Sequence, residues 1–424
     1  MVNSNTLNRN LATVIVFVAL AIIYMLGINT NPAFGDATGF TLSAIRGYDF
    51  ATNATSHLLY NIAITTIVKI VGAKNALWAL PGFSVLCGLF ALFIMLKLLA
   101  KLQINWMPSL LAVATMGLGF TFWRCTQITE VYTFNLCFLM VYLHLMVDGM
   151  LLSKRTIIMG SLVLALSILV HIQNILWIPA WLLWLWQNYK ENGSAHSVIG
   201  LVIFTALVSI LFIIPLSLQT NTLNSIFFDG GHQDTVLNIN PKEVAKGFAL
   251  AVGFLILNFA FFLIPTIKGV FKLQWPKLFK YAMALMFLLP FGFAARFAVT
   301  DNYVFFLPAY LVVILIMTKG IQTQLENWPI KRVKFIFVLP IIFPLAYFTL
   351  TKIAESTVQG QKIEQAKWYK GGVSFFTWPP MKNHAGTLNL PHLVEDGKVE
   401  MLLNSEIEPN YKMAKELNAI LNNH

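Results

Sequence analysis

The side chains able to do chemistry in this 424-residue chain are few, and most fall in three short stretches. The first reads Asn31-Pro-Ala-Phe-Gly-Asp36-Ala-Thr-Gly-Phe, passes through Arg46-Gly-Tyr-Asp49 and ends at Asn53-Ala-Thr-Ser-His57-Leu-Leu-Tyr60-Asn61. A carboxylate such as Asp36 acts as a general base when an acceptor hydroxyl comes within hydrogen-bond reach. Its place ahead of a helical pattern beginning near Ala37 equally suits an N-cap, a role Asp fills well. His57 has two readings as well: contact with a phosphate or sugar hydroxyl, or capping and packing at the start of the next helix. The second stretch is Phe122-Trp-Arg124-Cys-Thr-Gln-Ile-Thr129-Glu130-Val-Tyr132-Thr-Phe-Asn135. Here an Arg–Glu pair braces a hairpin, or Glu130 and Tyr132 line a site while Arg124 meets an anionic phosphate. The third is Arg296-Phe-Ala-Val-Thr-Asp301-Asn-Tyr303, running on to Pro308-Ala-Tyr310. Arg296 holds a phosphate there, or pairs locally with Asp301 inside an aromatic belt. His171 and Gln173 complete the polar set, with a satisfied structural imidazole as the alternative for His171.

Positioning these groups falls to elements of unusual composition. Hydrophobic residues make up 57% of the chain and charged ones 11%, against about 45–50% and 25% in soluble domains. The mean hydropathy of +0.70 agrees. A membrane-spanning helix takes about 20 apolar residues. Eleven such runs are expected, at 11–27, 76–100, 106–122, 127–150, 156–172, 174–189, 198–217, 247–268, 278–297, 302–319 and 333–351. The stretch 56–71 is helical in pattern but short and interrupted by Lys69, and it is expected to lie along the membrane surface.

Charge decides the orientation. With the N-terminus cytoplasmic and 56–71 not crossing, 14 basic residues fall inside and 7 outside before the tail, while acidic residues split 3 inside and 7 outside. A crossing at 56–71 would reverse the bias, so eleven spans, N-in and C-out, satisfy the positive-inside rule. The net charge of +11 then records topology and needs no nucleic-acid partner. The first helix is expected to stay uncleaved, since Gly27-Ile-Asn-Thr-Asn-Pro-Ala offers no small-x-small site.

The fold class is therefore an all-α polytopic membrane protein, with a transmembrane domain at 1–351 and a small non-cytoplasmic tail at 352–424. Outer loops are expected at 28–75, with its juxtamembrane helices, and at 218–246. The tail's Trp368-Tyr-Lys-Gly-Gly and Ser374-Phe-Phe-Thr-Trp378-Pro-Pro suit an aromatic surface on the membrane interface or over a cavity. No Walker A loop or glycine-rich dinucleotide turn is present. No metal is expected: Asp229, His232 and Asp234 cluster, but their glycine-rich setting also describes a plain polar loop. Cys87, Cys125 and Cys137 lie in or beside apolar runs and form no Cys-x-x-Cys pair.

The combined pattern resembles the GT-C class of integral-membrane glycosyltransferases, with its closest likeness to a bacterial family related to the transmembrane O-mannosyltransferase of plexin receptors. Gly35-Asp36, Phe122-Trp-Arg…Glu130-Val-Tyr-Thr-Phe-Asn135 and Asp301-Asn-Tyr…Phe-Leu-Pro-Ala-Tyr310 carry the likeness. Leu58-Leu-Tyr60 is similar to the end of a family His-Pro-Pro-Gly-Tyr-Pro-Leu-Tyr stretch, but the Pro-Pro-Gly is missing and His57 is displaced from the family position. The resemblance implies a polyprenyl-phosphate-linked sugar as donor, no separate cofactor, and inversion at the anomeric carbon on the non-cytoplasmic face. It makes Asp36 the base and gives Arg296 or Arg124 the departing phosphate, with His57, Tyr60, Glu130, Tyr132, His171 and Asp301 binding substrate. The acceptor would be a glycan or a protein, and the setting a bacterial inner membrane with a periplasmic C-terminus. The competing classes are a transporter or flippase of lipid-linked saccharides, a polysaccharide polymerase or ligase, and a membrane scaffold.

Overall fold

Apolar segments in hydrocarbon must satisfy their own backbone N–H and C=O groups, and the α-helix does so within one segment. The computed structural model describes residues 4–31, 35–48, 57–147, 154–217, 240–297, 299, 301–326, 338–380 and 407–422. Every regular element among them is helical. Helix α1 (Ser4–Leu26) is followed by α2 (Asp36–Arg46), α3 (Leu58–Val71), α4 (Ala76–Lys101), α5 (Trp106–Leu118), α6 (Phe120–Cys125), α7 (Val131–Val147) and α8 (Lys154–Val170). Next come α9 (Ile178–Asn192), α10 (Ser194–Val208), α11 (Ile210–Ser217), α12 (Pro241–Phe259), α13 (Leu263–Phe271), α14 (Lys277–Arg296) and α15 (Leu307–Leu325). The chain ends with α16 (Leu339–Ser356), α17 (Val358–Ala366), α18 (Gly372–Thr377) and α19 (Ile407–Asn422).

Among the described residues, six helical stretches are long and apolar enough to cross a membrane: Arg9–Leu26, Ala73–Lys101, Ser194–Ile214, Pro241–Phe271, Lys277–Arg296 and Asn302–Leu325. Several expected spans are shorter or broken. The run at 106–122 divides at Gly119, whose extended backbone separates α5 from α6. The run at 247–268 turns at Ala260, which takes a φ of 41°. Beside that turn, Asn258 accepts from the Thr121 amide at 2.9 Å and donates to the Thr121 hydroxyl at 3.1 Å. A polar side chain thereby replaces hydrogen bonds that the breaks would leave unmade. The first turns of two expected spans are tighter 3-10 helix, at Ile172–Trp177 and Asn302–Phe306.

Helix α3 has 14 residues. At 1.5 Å per residue it is about 21 Å long, short of a core about 30 Å thick. It packs on α2, α4 and α8. The expected start of the tail at 352 falls inside α16, which runs unbroken from 339 to 356. The cluster Asp229, His232 and Asp234, and Asp49 in the first loop, lie outside the described residues.

The interior is built from close helix pairs, chiefly α4 with α7, α8 with α10, and α13 with α15. Helix α15 is the central one, buried along most of its length. Its contact with α13 depends on two glycines. A methyl group on Gly269 would strike the Ile316 carbonyl, and one on Gly320 would strike the Pro265 carbonyl. Backbones approach this closely in membrane bundles only where the interface residue is small. Gly320→Leu should therefore cost about 1–3 kcal/mol by overpacking. It should lower the melting temperature in detergent well below that of Gly253→Ala, at a position open to 4 Å around its Cβ. Equal melting temperatures would refute the close contact.

Candidate functional site

Three acidic side chains come from separate elements at one end of the bundle. Asp36 opens α2, Glu130 lies in the turn between α6 and α7, and Asp301 precedes the 3-10 turn Asn302–Phe306. Gly35 stands at the N-cap of α2 with φ 106° and ψ −146°, a backbone conformation that favours glycine. Asp36 is thus the first helical residue, and Gly35 rather than Asp36 occupies the N-cap position. Its carboxyl is exposed. An acid in this first turn is favoured by the helix dipole.

Glu130 is buried, and its Oε2 has no hydrogen-bond partner among the described residues. The turn places it outside both flanking helices. There, burial first and then the charges of Asp36 and Asp301 hold its carboxyl well above the usual carboxylate range, opposed by the Val131 amide. The three carboxyls therefore share one electrostatic neighbourhood. Tyr132, one turn position further on, feels Asp301, Glu130 and Asp36 together.

Arg124 does not pair with Glu130. Its side chain is wholly buried, and its five N–H donors point at the chain around α18. Nε faces the Pro379 carbonyl at 3.4 Å; Nη1 faces the Phe375 carbonyl and, at 3.5 Å, the Tyr303 hydroxyl. Nη2 donates to the Trp378 carbonyl at 2.6 Å and faces the Ser374 carbonyl at 3.5 Å. The rings of Phe120 and Phe375 stack on the guanidinium, with centroids 4.6 and 4.9 Å away. The group ties off the Phe375 carbonyl near the end of α18 and those of Trp378 and Pro379 just beyond it. In this arrangement Arg124 is a structural strut, and the phosphate role suggested for it has no donor left. Arg296 ends α14, half-buried, five residues before Asp301.

Two histidines close the other side. The rings of His57 and His171 meet edge to face, with centroids 4.8 Å apart. His57 does not cap α3; its Nδ1 lies 3.3 Å from the Val170 carbonyl, which can only accept, so Nδ1 carries the proton. Its other face meets Phe40, and Phe40 in turn meets Tyr60 at 4.9 Å. His171 Nδ1 accepts from the Gln173 amide at 3.1 Å, so the neutral ring holds its proton at Nε2. That Nε2, the Tyr60 hydroxyl and Gln173 Oε1 are all buried without a partner among the described residues. Gln173 Nε2 donates to the Phe305 carbonyl at 2.7 Å, and His171 also packs on Tyr132 and Phe305. Asn174, which the sequence did not single out, fixes this corner: it bonds to Asn135 and donates to the Ser167 carbonyl at 2.8 Å. Among the described residues, no group of three or more His, Cys, Asp or Glu side chains is arranged to hold a metal ion.

No family model and no curated protein matches the chain. Solved structures do. The crystal structure of ArnT from Cupriavidus metallidurans bound to undecaprenyl phosphate aligns with a TM-score of 0.59 at 12% identity, covering 95% of this chain and 75% of that one. The apo-state crystal structure of the same protein aligns with a TM-score of 0.56 at 11% identity, covering 95% and 74%. The chain thus shares the fold of that protein.

Two measurements check the geometry. Arg124→Lys keeps one cation but has too few donors for these carbonyls, and it should destabilise the protein by at least about 2 kcal/mol through unsatisfied buried groups. A chemical-denaturation midpoint equal to wild type would refute the strut. Burial also lowers the His57 imidazole to about 4, against a smaller opposing pull from the Val170 carbonyl. The unfolded ring takes up a proton near 6.5 while the folded ring stays neutral. This contribution to stability is full above pH 6.5 and is lost as pH falls toward 4. His57→Gln should flatten the melting-temperature profile over that window, by at most about 1.4 kcal/mol per pH unit.

Proposed function

We propose that this protein is an inverting glycosyltransferase that moves a sugar from a polyprenyl-phosphate donor to an acceptor hydroxyl on the non-cytoplasmic face of a membrane. The observation that carries the reading is the convergence of Asp36, Glu130 and Asp301, from three elements, at one end of a fold shared with ArnT. Capture of undecaprenyl phosphate by that protein supports a polyprenyl lipid as the carrier here.

In this reading the exposed Asp36 carboxylate accepts the proton of the acceptor hydroxyl as its oxygen attacks the anomeric carbon. The bond from that carbon to the phosphate oxygen breaks, and the electron pair leaves with the polyprenyl phosphate. Arg296, at the end of α14, opposes the charge that develops on the phosphate. Glu130, whose carboxyl burial and the neighbouring acids hold above the usual carboxylate range, hydrogen-bonds beside Asp36, the carboxyl that meets the acceptor. In the same reading His171 Nε2–H, the Tyr60 hydroxyl and Tyr132 bind the sugar, with His57 packed against His171. A protein hydroxyl, as in O-mannosyltransferases, and a glycan hydroxyl are the two acceptor forms of the reaction. The setting that fits is a bacterial inner membrane, with the N-terminus cytoplasmic and the C-terminus periplasmic.

Purified protein should transfer labelled sugar from a polyprenyl-phosphate donor to a Ser/Thr peptide or a glycan acceptor. Asp36→Asn should lower kcat by about 10²–10⁴-fold while donor binding persists. Full transfer by the variant would remove Asp36 as the base. Specific donor binding without transfer by the wild type would instead favour movement of a lipid-linked saccharide across the membrane.

A further inference from the structure

The C-terminal helix α19 returns to the helix that carries Asp36. Its buried residues, Ile407, Tyr411, Ala414 and Leu417, recur at helical spacing and form one face. That face packs on α2, with the Met413 sulfur placed 3.5 Å from where a Cβ on Gly39 would lie. The helix grips α2 at both ends. At the start, the Gly35 amide donates to Asn410 Oδ1 at 3.1 Å; at the finish, Arg46 pairs with Glu416. The ion pair is solvent-exposed and contributes little energy, but it fixes which way the two helices run. The hydrogen bond is the more telling contact, because Gly35 is the N-cap immediately before Asp36.

The tail reaches the other two acidic segments as well. Carbonyls around α18 take the donors of Arg124, six residues before Glu130. Phe375 packs edge-on against Tyr303, two residues after Asp301, at 6.4 Å. Two stretches near the C-terminus therefore touch α2, which opens with Asp36, α6, which leads to Glu130, and the 3-10 turn that follows Asp301.

From this arrangement we propose that α19 is a built-in part of the site and that Asn410 is a positioning residue, fixing the backbone under Asp36 through the Gly35 amide. The proposal rests on the glycosyltransferase reading for its catalytic consequence. Its structural content, the docking of α19 on the start of α2, stands apart from that reading. Displacement of a catalytic group by about 1 Å can cost on the order of 100-fold in rate. Asn410 touches no reacting atom, so its effect should fall on kcat rather than on donor KM.

The test uses the full-length protein in detergent or nanodiscs, comparing wild type with Asn410→Ala and Asn410→Asp. Asn410→Ala should lower kcat by about 10- to 100-fold, leave donor KM within about 2-fold, and speed hydrogen–deuterium exchange in the peptide covering the start of α2. Asn410→Asp keeps an acceptor for the Gly35 amide. It should recover most of kcat at high pH, with the acid limb of the rate profile moved upward by a further carboxylate beside Asp36. Unchanged kcat and unchanged exchange in Asn410→Ala would overturn the proposal. So would equal losses in both variants accompanied by equal falls in melting temperature, the mark of a merely structural role. If wild type transfers no sugar, the glycosyltransferase reading fails by itself, and exchange at α2 decides the positioning contact: faster in Asn410→Ala upholds it, unchanged overturns it.

Discussion

A guanidinium with no water around it has to find its hydrogen bonds inside the protein, and Arg124 finds them on backbone carbonyls about 250 residues further along the chain. Burying such a group is costly unless every donor is answered. The answer here dictates the path of the C-terminal segment: Ser374, Phe375, Trp378 and Pro379 must all present their oxygens to one side chain. The aromatic wall follows from that anchorage. Trp378 comes to rest on Trp123, Trp123 on Tyr347, and Phe375 on Tyr303. Tyr347 then donates to the Leu257 carbonyl at 3.0 Å, tying α16 to the end of α12 near its break.

The same rule, that no buried polar group goes unanswered cheaply, shapes the rest of the bundle. Where α1 ends, Gln127 donates to the Ile23 and Tyr24 carbonyls, and Gly27 leaves room for it. Tyr24 donates to the Gly117 carbonyl at 2.7 Å, just before the break at Gly119. Polar side chains thus stand where helices stop or bend, and small residues stand where backbones touch. Among the described residues, the buried polar atoms left without a hydrogen-bond partner include those of Tyr60, Glu130, His171 and Gln173, together with others spread through the bundle such as Ser84, Thr115 and Trp177.

Much of this was legible in the sequence, for a reason specific to membrane chains. With only 11% of residues charged, each carboxylate stands out, and alternating helices assign it to a side. Asp36, Glu130, His171 and Asp301 could be grouped that way, and the structure brings them to one end. The partners of Arg124 could not be read, because backbone carbonyls leave no mark on the residue types that supply them. Hydropathy was equally blind to the breaks at Gly119 and Ala260, since both sit within continuously apolar runs. Nor did the letters around Asn410 suggest that a weakly apolar helix near the C-terminus would dock on α2. His57 shows an intermediate case: its closeness to the site was readable, while its role as a packed, neutral ring required the positions of Phe40, Val170 and His171.

The long reach of the Gly35–Asn410 bond also bears on how the protein is made. Its two residues are 375 positions apart. At about 5–20 residues per second, synthesis of the intervening chain takes roughly 20–75 s. Throughout that interval the helices entering the membrane can assemble, but α2 lacks its final support. A nascent chain, or one cut short by damaged message, would therefore carry Asp36 in a loosely held segment. Synthesis of the segment around Asn410 becomes the event that completes the support beneath Asp36.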